Sequence, residues 1–249
     1  MSLIRKSSKA SIKNPRVMVL FSHPKTGKTS ALMQLEDSLI IDADGSAGYY
    51  DGQATEHIKN YKMFVDLVGE LKSGKMHFKH IVFDTLTNAM STIIHGRAIM
   101  LFNKELEREG EEPVPANFIL ESLAYGKGQL FIRQAVKDVI AILSPFCNYL
   151  IIVGHTADKA VNKRGETLTV QELALTGKLK NVLAAEVDAL GLLHRSDAEL
   201  DENSISFVHN DGVLGGTRSP HLDGKTILVS KKKEDGTLET FWDNIYVSE

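Results

Sequence analysis

The sequence predicts an α/β fold: a parallel sheet flanked by helices and followed by a β-rich C-terminal extension. Three observations carry that expectation. Short apolar runs alternate with longer amphipathic segments, the pattern of strand–helix–strand units joined by right-handed crossovers. Two of the apolar runs, Leu39 to Asp42 and His80 to Asp84, end in a carboxylate. After His155 the segments turn short and strand-like, with hairpin signals at Asn162 to Glu166 and at Asp235-Gly236.

Taken in order, Arg16 to Ser22 (RVMVLFS) is β-branched and apolar without helical spacing, which reads as a buried strand. A short helix is expected from Gly27 to about Leu35, then a second strand from Leu39 to Asp42 (LIID). Phe64, Leu67, Val68 and Leu71 fall at helical spacing within Tyr61 to Lys72, and Ser73-Gly74 stops that helix. His80 to Asp84 (HIVFD) is the third strand. A long helix follows from Thr87 to Glu109, broken by the prolines of Glu111 to Asn117. Gln129 to Leu143 places Ile132, Val136, Val139, Ile140 and Leu143 on one face. Tyr149 to His155 (YLIIVGH) is the fourth buried strand, and Val187 to His194 and Ser204 to His209 are further strands. Asn210 to Gly224 is glycine-rich and reads as a long flexible loop. Thr226 to Lys231 and Leu238 to Phe241 form the closing hairpin.

Bulk properties narrow the function classes. The 249 residues carry 29 Lys plus Arg against 32 Asp plus Glu, a net charge of -3, so nucleic acid could be met only by a local basic patch. The single cysteine, Cys147, excludes an internal disulfide and sits in an apolar run as a small core residue, in keeping with a cytoplasmic setting. No apolar run is long enough to span a membrane. Residues 1–14, with Arg5, Lys6, Lys9 and Lys13, read as a flexible basic arm, and 15–249 as one domain.

Ser22 to Thr29 reads SHPKTGKT between a strand and a helix, the context of a P-loop. Backbone amides of Ser22, His23, Pro24, Lys25, Thr26, Gly27, Lys28, Thr29 and Ser30, where they carry an N–H, are expected to cradle phosphate oxygens at the positive end of the helix. Gly27 permits close backbone approach, Lys28 brings charge to the β- and γ-phosphates, and the Thr29 hydroxyl is suited to a Mg²⁺ shell. The pattern departs from the usual one at Ser22, where glycine is customary, and Pro24 stiffens the loop. The ligand implied is a nucleoside triphosphate, ATP with Mg²⁺.

Asp84, at the tip of a buried strand, is placed to orient Mg²⁺ or to cap the following helix. Asp42 and Asp44 end the second strand as IIDADG. Asp44 is the candidate general base, against a pure turn role for the Asp-Gly signal.

Taken together, SHPKTGKT, IIDADG, HIVFDTLT and LIIVGHT, in that order, resemble the RecA-like ATPase core. More closely they resemble short phage-encoded RecA-like proteins of single-strand annealing and recombination. The resemblance implies a P-loop NTPase fold and catalytic roles for Lys28, Asp44, Asp84 and His155. In it Asp44 stands for the usual glutamate base, Asp84 for the Walker B acid and His155 for the γ-phosphate sensor. His155 reads equally as a strand-end histidine satisfied by backbone. The resemblance also points to Tyr125 to Gln129 (YGKGQ) and Gly215 to Ser219 (GGTRS) as features of these phage proteins.

It implies homo-oligomers with ATP between subunits, a basic residue acting in trans (Arg218, Lys231 or Lys233), and single-stranded DNA as partner. A single-strand DNA-binding protein would be a further partner. Lys159, Lys163, Arg164 and His221 are the DNA candidates. The lysines at 231 to 233 read equally as a solvated edge. Two other readings stay open: a non-hydrolysing nucleotide-dependent scaffold, and a small-molecule kinase. The kinase would require an arginine-rich lid, whereas Arg97, Arg108 and Arg133 are scattered.

Overall fold

The computed structural model describes residues 12–163, 166–175, 178–197, 201–209 and 215–248. Arg5, Lys6, Lys9 and Arg164, named above, lie outside these residues, as does 210–214 of the glycine-rich loop.

Strands β1 (Val17–Ser22), β2 (Ser38–Asp42), β3 (Phe78–Asp84), β4 (Cys147–Lys163) and β6 (Ala189–Asp197) form the parallel part of the sheet, in the order β2-β3-β4-β1-β6. Beyond β6 the sheet continues antiparallel through β7 (Glu202–Ser206), β9 (Thr226–Lys232) and β10 (Leu238–Thr240). The expected C-terminal extension is therefore an outgrowth of the same sheet. Strand β4 runs past the sheet edge and folds back on β5 (Glu166–Leu173) as a two-stranded arm, the hairpin expected at Asn162 to Glu166.

Side chains alternate across the sheet. In β1, Val19 and Phe21 face one core while Met18 and Leu20 face the other. The first core is covered by helices α2 (Tyr61–Ser73), α3 (Leu86–Ala89), α4 (His95–Glu109), α5 (Lys127–Leu143) and α6 (Leu179–Glu186). The second is covered by α1 (Lys28–Leu32) and by C-terminal residues Leu222, Trp242, Ile245 and Tyr246. Cys147 is buried, and burial pushes its thiol up to about 12, as suits an inert core residue.

Several expectations change in detail. The helix predicted from Thr87 to Glu109 is divided by a π-helical turn, Met90–Ile94. Its N-cap is Thr85, whose hydroxyl accepts from Asn88 N–H, so Asp84 is free of capping duty. The described part of the glycine-rich loop is built into the fold. Gly216–Thr217 forms a short strand, β8, beside β6, and Leu222 is fully buried. Gly215 must be glycine because an added Cβ would stand 2.6 Å from Val208 O. Helix α6 has no counterpart among the sequence expectations. At the other end, Asn14, assigned to the basic arm, is buried. Its side chain donates to Val247 O (2.7 Å) and accepts from Val247 N–H (3.0 Å), pinning the two ends of the described chain together.

Candidate functional site

The parallel strands all run toward one edge, past which β4 continues into the arm, and their register fixes which side chains meet there. Ser22 stands beside His155 across β1 and β4, and Asp42 beside Asp84 across β2 and β3. From β1 outward, the row of strand ends is Ser22, His155, Asp84, Asp42. The loop between β1 and α1 rises from this row.

Gly27, at the N-cap of α1, has φ 84°, a left-handed conformation natural to glycine. Lys25 also has positive φ. Ser22 does not: it ends β1 in ordinary backbone, and its fully buried hydroxyl shares a 2.5 Å hydrogen bond with Thr26. The missing first glycine is thus replaced by a side-chain tie within the loop. Lys28 is buried and arches back over the loop, donating to Ser22 Oγ (2.9 Å) and His23 O (3.0 Å). Burial lowers the affinity of its amine for a proton, and the nearby charges of Asp84 and Asp44 oppose that shift.

Thr29 Oγ1 donates to Asp84 Oδ2 at 2.7 Å, joining the helix start to the tip of β3. Asp84 is 1% exposed, and its other oxygen, Oδ1, is buried with no hydrogen-bond partner. Burial raises the Asp84 carboxyl to about 6; the Thr29 hydroxyl and Lys28 pull the other way. An unpaired buried carboxylate oxygen is costly unless something positive faces it. Among the described residues no group of three or more His, Cys, Asp or Glu side chains could hold a metal by itself. One hydroxyl and one carboxylate beside a phosphate cradle are what Mg²⁺ needs from protein, since phosphates and water complete its shell. The donor set fits.

The two acids at the end of β2 and just beyond it have different jobs. Asp42 is buried, and its carboxylate accepts from the backbone N–H groups of Asp44 (3.2 Å), Gly45 (2.7 Å), Ser46 (3.3 Å) and Ala47 (3.3 Å). It folds the turn. Asp44 is half-buried; one oxygen accepts from Ser46 N–H, and its charge is felt by Lys28, Asp84 and His155. His155 is half-buried, and burial together with the charge of Lys28 lowers its pKa. Its backbone N–H donates to Thr87 Oγ1, linking β4, where it leaves the sheet, to α3.

Lys28, Thr29, Asp44, Asp84 and His155 therefore share one edge. The other candidates lie elsewhere. Arg218 pairs with Asp188 (3.2 Å) and donates to Ala185 O at the opposite edge, where β6 begins. Lys231 pairs with Glu202 and Lys233 with Glu239 in the antiparallel extension. His221 contacts Ile245 O under the C-terminal segment. Lys159 is exposed on the β4–β5 arm, and position 163 closes β4. The base of that arm reaches the P-loop: His23 Nε2 lies 2.9 Å from Gln171 Nε2 and 3.8 Å from Asp158.

Sequence reasoning missed Asn203 of β7, a buried side chain lying against Gly27. It also missed Trp242, whose indole N–H donates to Ala31 O of α1. Both depend on contacts across the whole chain.

A family model described as an AAA domain matches residues 14–219. The histidine–tRNA ligase of Vesicomyosocius okutanii is 24% identical over 211 residues, which cover 82% of this chain and 46% of that protein, so the chain spans about half the length of that relative. The structure of the KaiC-like protein PH0186 from Pyrococcus horikoshii aligns over 91% of this chain and 89% of its own, at 12% identity and a TM-score of 0.44. The family match runs from ahead of β1 to beyond β8 and includes the whole strand-end row. This chain belongs to the AAA domain family.

Proposed function

We propose that this chain binds ATP at the loop from Ser22 to Thr29 and hydrolyses it, and that it does so in the service of single-stranded DNA recombination or annealing of the phage type. The observation that carries the ATP reading is the buried bond from Thr29, at the end of the P-loop, to Asp84, whose Oδ1 is left unpaired. Thr29 Oγ1 and Asp84 would hold Mg²⁺, which when bound offsets negative charge on the phosphate oxygens. Lys28 exchanges its bonds to Ser22 and His23 for the β- and γ-phosphates. Asp44 orients the attacking water and accepts its proton, and His155, next along the strand-end row, contacts the γ-phosphate.

The DNA part rests on the resemblance and on one local feature. The arm carrying Lys159 is braced against His23 of the P-loop, so a strand lying along it could be felt by the loop. An oligomer with ATP between subunits would use Arg218, Lys231 or Lys233 in trans, each released from its ion pair within the chain. A non-hydrolysing nucleotide-dependent scaffold is the second reading, favoured by the short Asp44 side chain and its bond to Ser46 N–H. A kinase lid finds no support in Arg97, which is tied to Asp138 and Tyr61 between helices.

ATP turnover measured with and without single-stranded DNA, over a range of salt, tests the proposal. Stimulation that fades with salt is expected. Turnover that ignores DNA removes the DNA role and leaves the ATPase. ATP binding without turnover selects the scaffold.

A further inference from the structure

We propose that Asn203, on the antiparallel extension, recognises the nucleoside half of the nucleotide; this rests on the ATP reading of the P-loop given above. Four observations lead there. Asn203 is 7% exposed, and its Oδ1 is buried without a hydrogen-bond partner. Its Nδ2 donates to Ser230 Oγ at 3.2 Å, which ties the side chain to β9. The same Nδ2 stands 3.5 Å from the point a Cβ would take on Gly27, with Ser30 Oγ 3.4 Å from that point. Finally, the pairing of β7 with β9 shifts register between Asn203 and Ser204. Such a bulge re-aims a side chain and is common beside active sites.

The chemistry selects the nucleoside over the phosphates. Phosphate oxygens are acceptors and are taken by the loop amides and Lys28. An amide oxygen needs a donor, and the donors of a nucleotide are the ribose hydroxyls and an exocyclic amine of the base. Strand order agrees. The groups for the γ-phosphate and cation, His155, Asp84 and Asp44, lie on the β4–β3–β2 side of the P-loop. The nucleoside must then extend the other way along the edge, past β6 toward β7, where Asn203 stands. A buried acceptor left unpaired is disfavoured, so a ligand donor at that place is strongly selected over a ligand lacking it.

The test is calorimetric binding of ATP and of inorganic tripolyphosphate to the wild type and to the paired variant Asn203→Leu with Ser230→Ala. Replacing both partners of the bond by apolar groups keeps the fold, which a thermal melt checks. ATP is expected to bind the variant about 5- to 10-fold more weakly, with tripolyphosphate unchanged. ATP analogues lacking the 2′-hydroxyl or the 6-amino group assign the donor: the one that no longer distinguishes variant from wild type has lost it. Equal weakening of ATP and tripolyphosphate would make Asn203 a mere buttress of the loop and overturn the proposal, as would unchanged ATP affinity. If the wild type binds neither, the P-loop reading itself fails and this proposal falls with it.

Discussion

The two faces of the sheet are covered in opposite ways. On one, α2 to α6 bury their apolar stripes against Val19, Phe21, Ile81 and Phe83, and each of these helices lies in a connection between successive strands. On the other, α1 covers Met18, Leu20 and Val153 with the help of Trp242, Ile245 and Tyr246 from the far end of the chain. The helical face is local and redundant. The α1 face is non-local and thin, and it is α1 that carries Lys28 and Thr29. Packing of the C-terminal segment and phosphate binding should therefore be coupled, whereas packing of the helical face should not be.

Comparing one large side chain from each face tests this first. Trp242→Ala should cost about 3–5 kcal/mol in denaturant unfolding and weaken ATP affinity in the fraction that stays folded. Leu71→Ala, in the core under α2, should cost about 2–5 kcal/mol and leave ATP affinity as it was. Equal effects of the two variants on affinity would break the comparison.

The next effect concerns the strand-end row. Asp84 has its carboxyl raised from 3.8 to about 6 by burial, so between those values the folded chain holds a proton that the unfolded chain has lost. Stability without nucleotide then falls as pH rises through that window, and the full cost persists above it. Asp84→Asn should raise the melting temperature of the free protein at about pH 8, worth up to roughly 3 kcal/mol, and change it little at about pH 4. The same variant should lose the Mg²⁺ dependence of ATP binding. A drop in melting temperature at the higher pH would mean that Asp84 supports the fold and is not held in reserve for a cation.

The smallest effect isolates one hydrogen bond. Trp242→Phe keeps most of the buried ring but loses the bond to Ala31 O, and should cost about 1 kcal/mol in unfolding.

What could be read from the sequence divides along the same line. Strands β1 to β4 were legible because burial on both faces makes a continuous apolar run, and α2 and α5 because their stripes repeat at helical spacing. Lys28, Thr29 and Asp84 were legible because a P-loop and a strand-end acid are local patterns. Helix α6 was not, since Leu179 and Leu183 give only two buried positions in eight residues. The division of labour between Asp42 and Asp44 was half legible. The sequence set Asp44 as base against a turn role for the same segment, but β2 stops at Asp42, which then turns the chain by accepting four amides. Asn203 and Trp242 were invisible because their partners, Gly27 and Ala31, lie far away in the chain.

The central claim is that the loop carrying Lys28 is an anion cradle completed by Asp84. Calorimetric titration of ATP with Mg²⁺ into wild type and Lys28→Ala, both shown folded by thermal melt, tests it most directly. Binding by the wild type and none by the variant at the same concentrations is the expected result. Undiminished affinity in the variant would contradict the account.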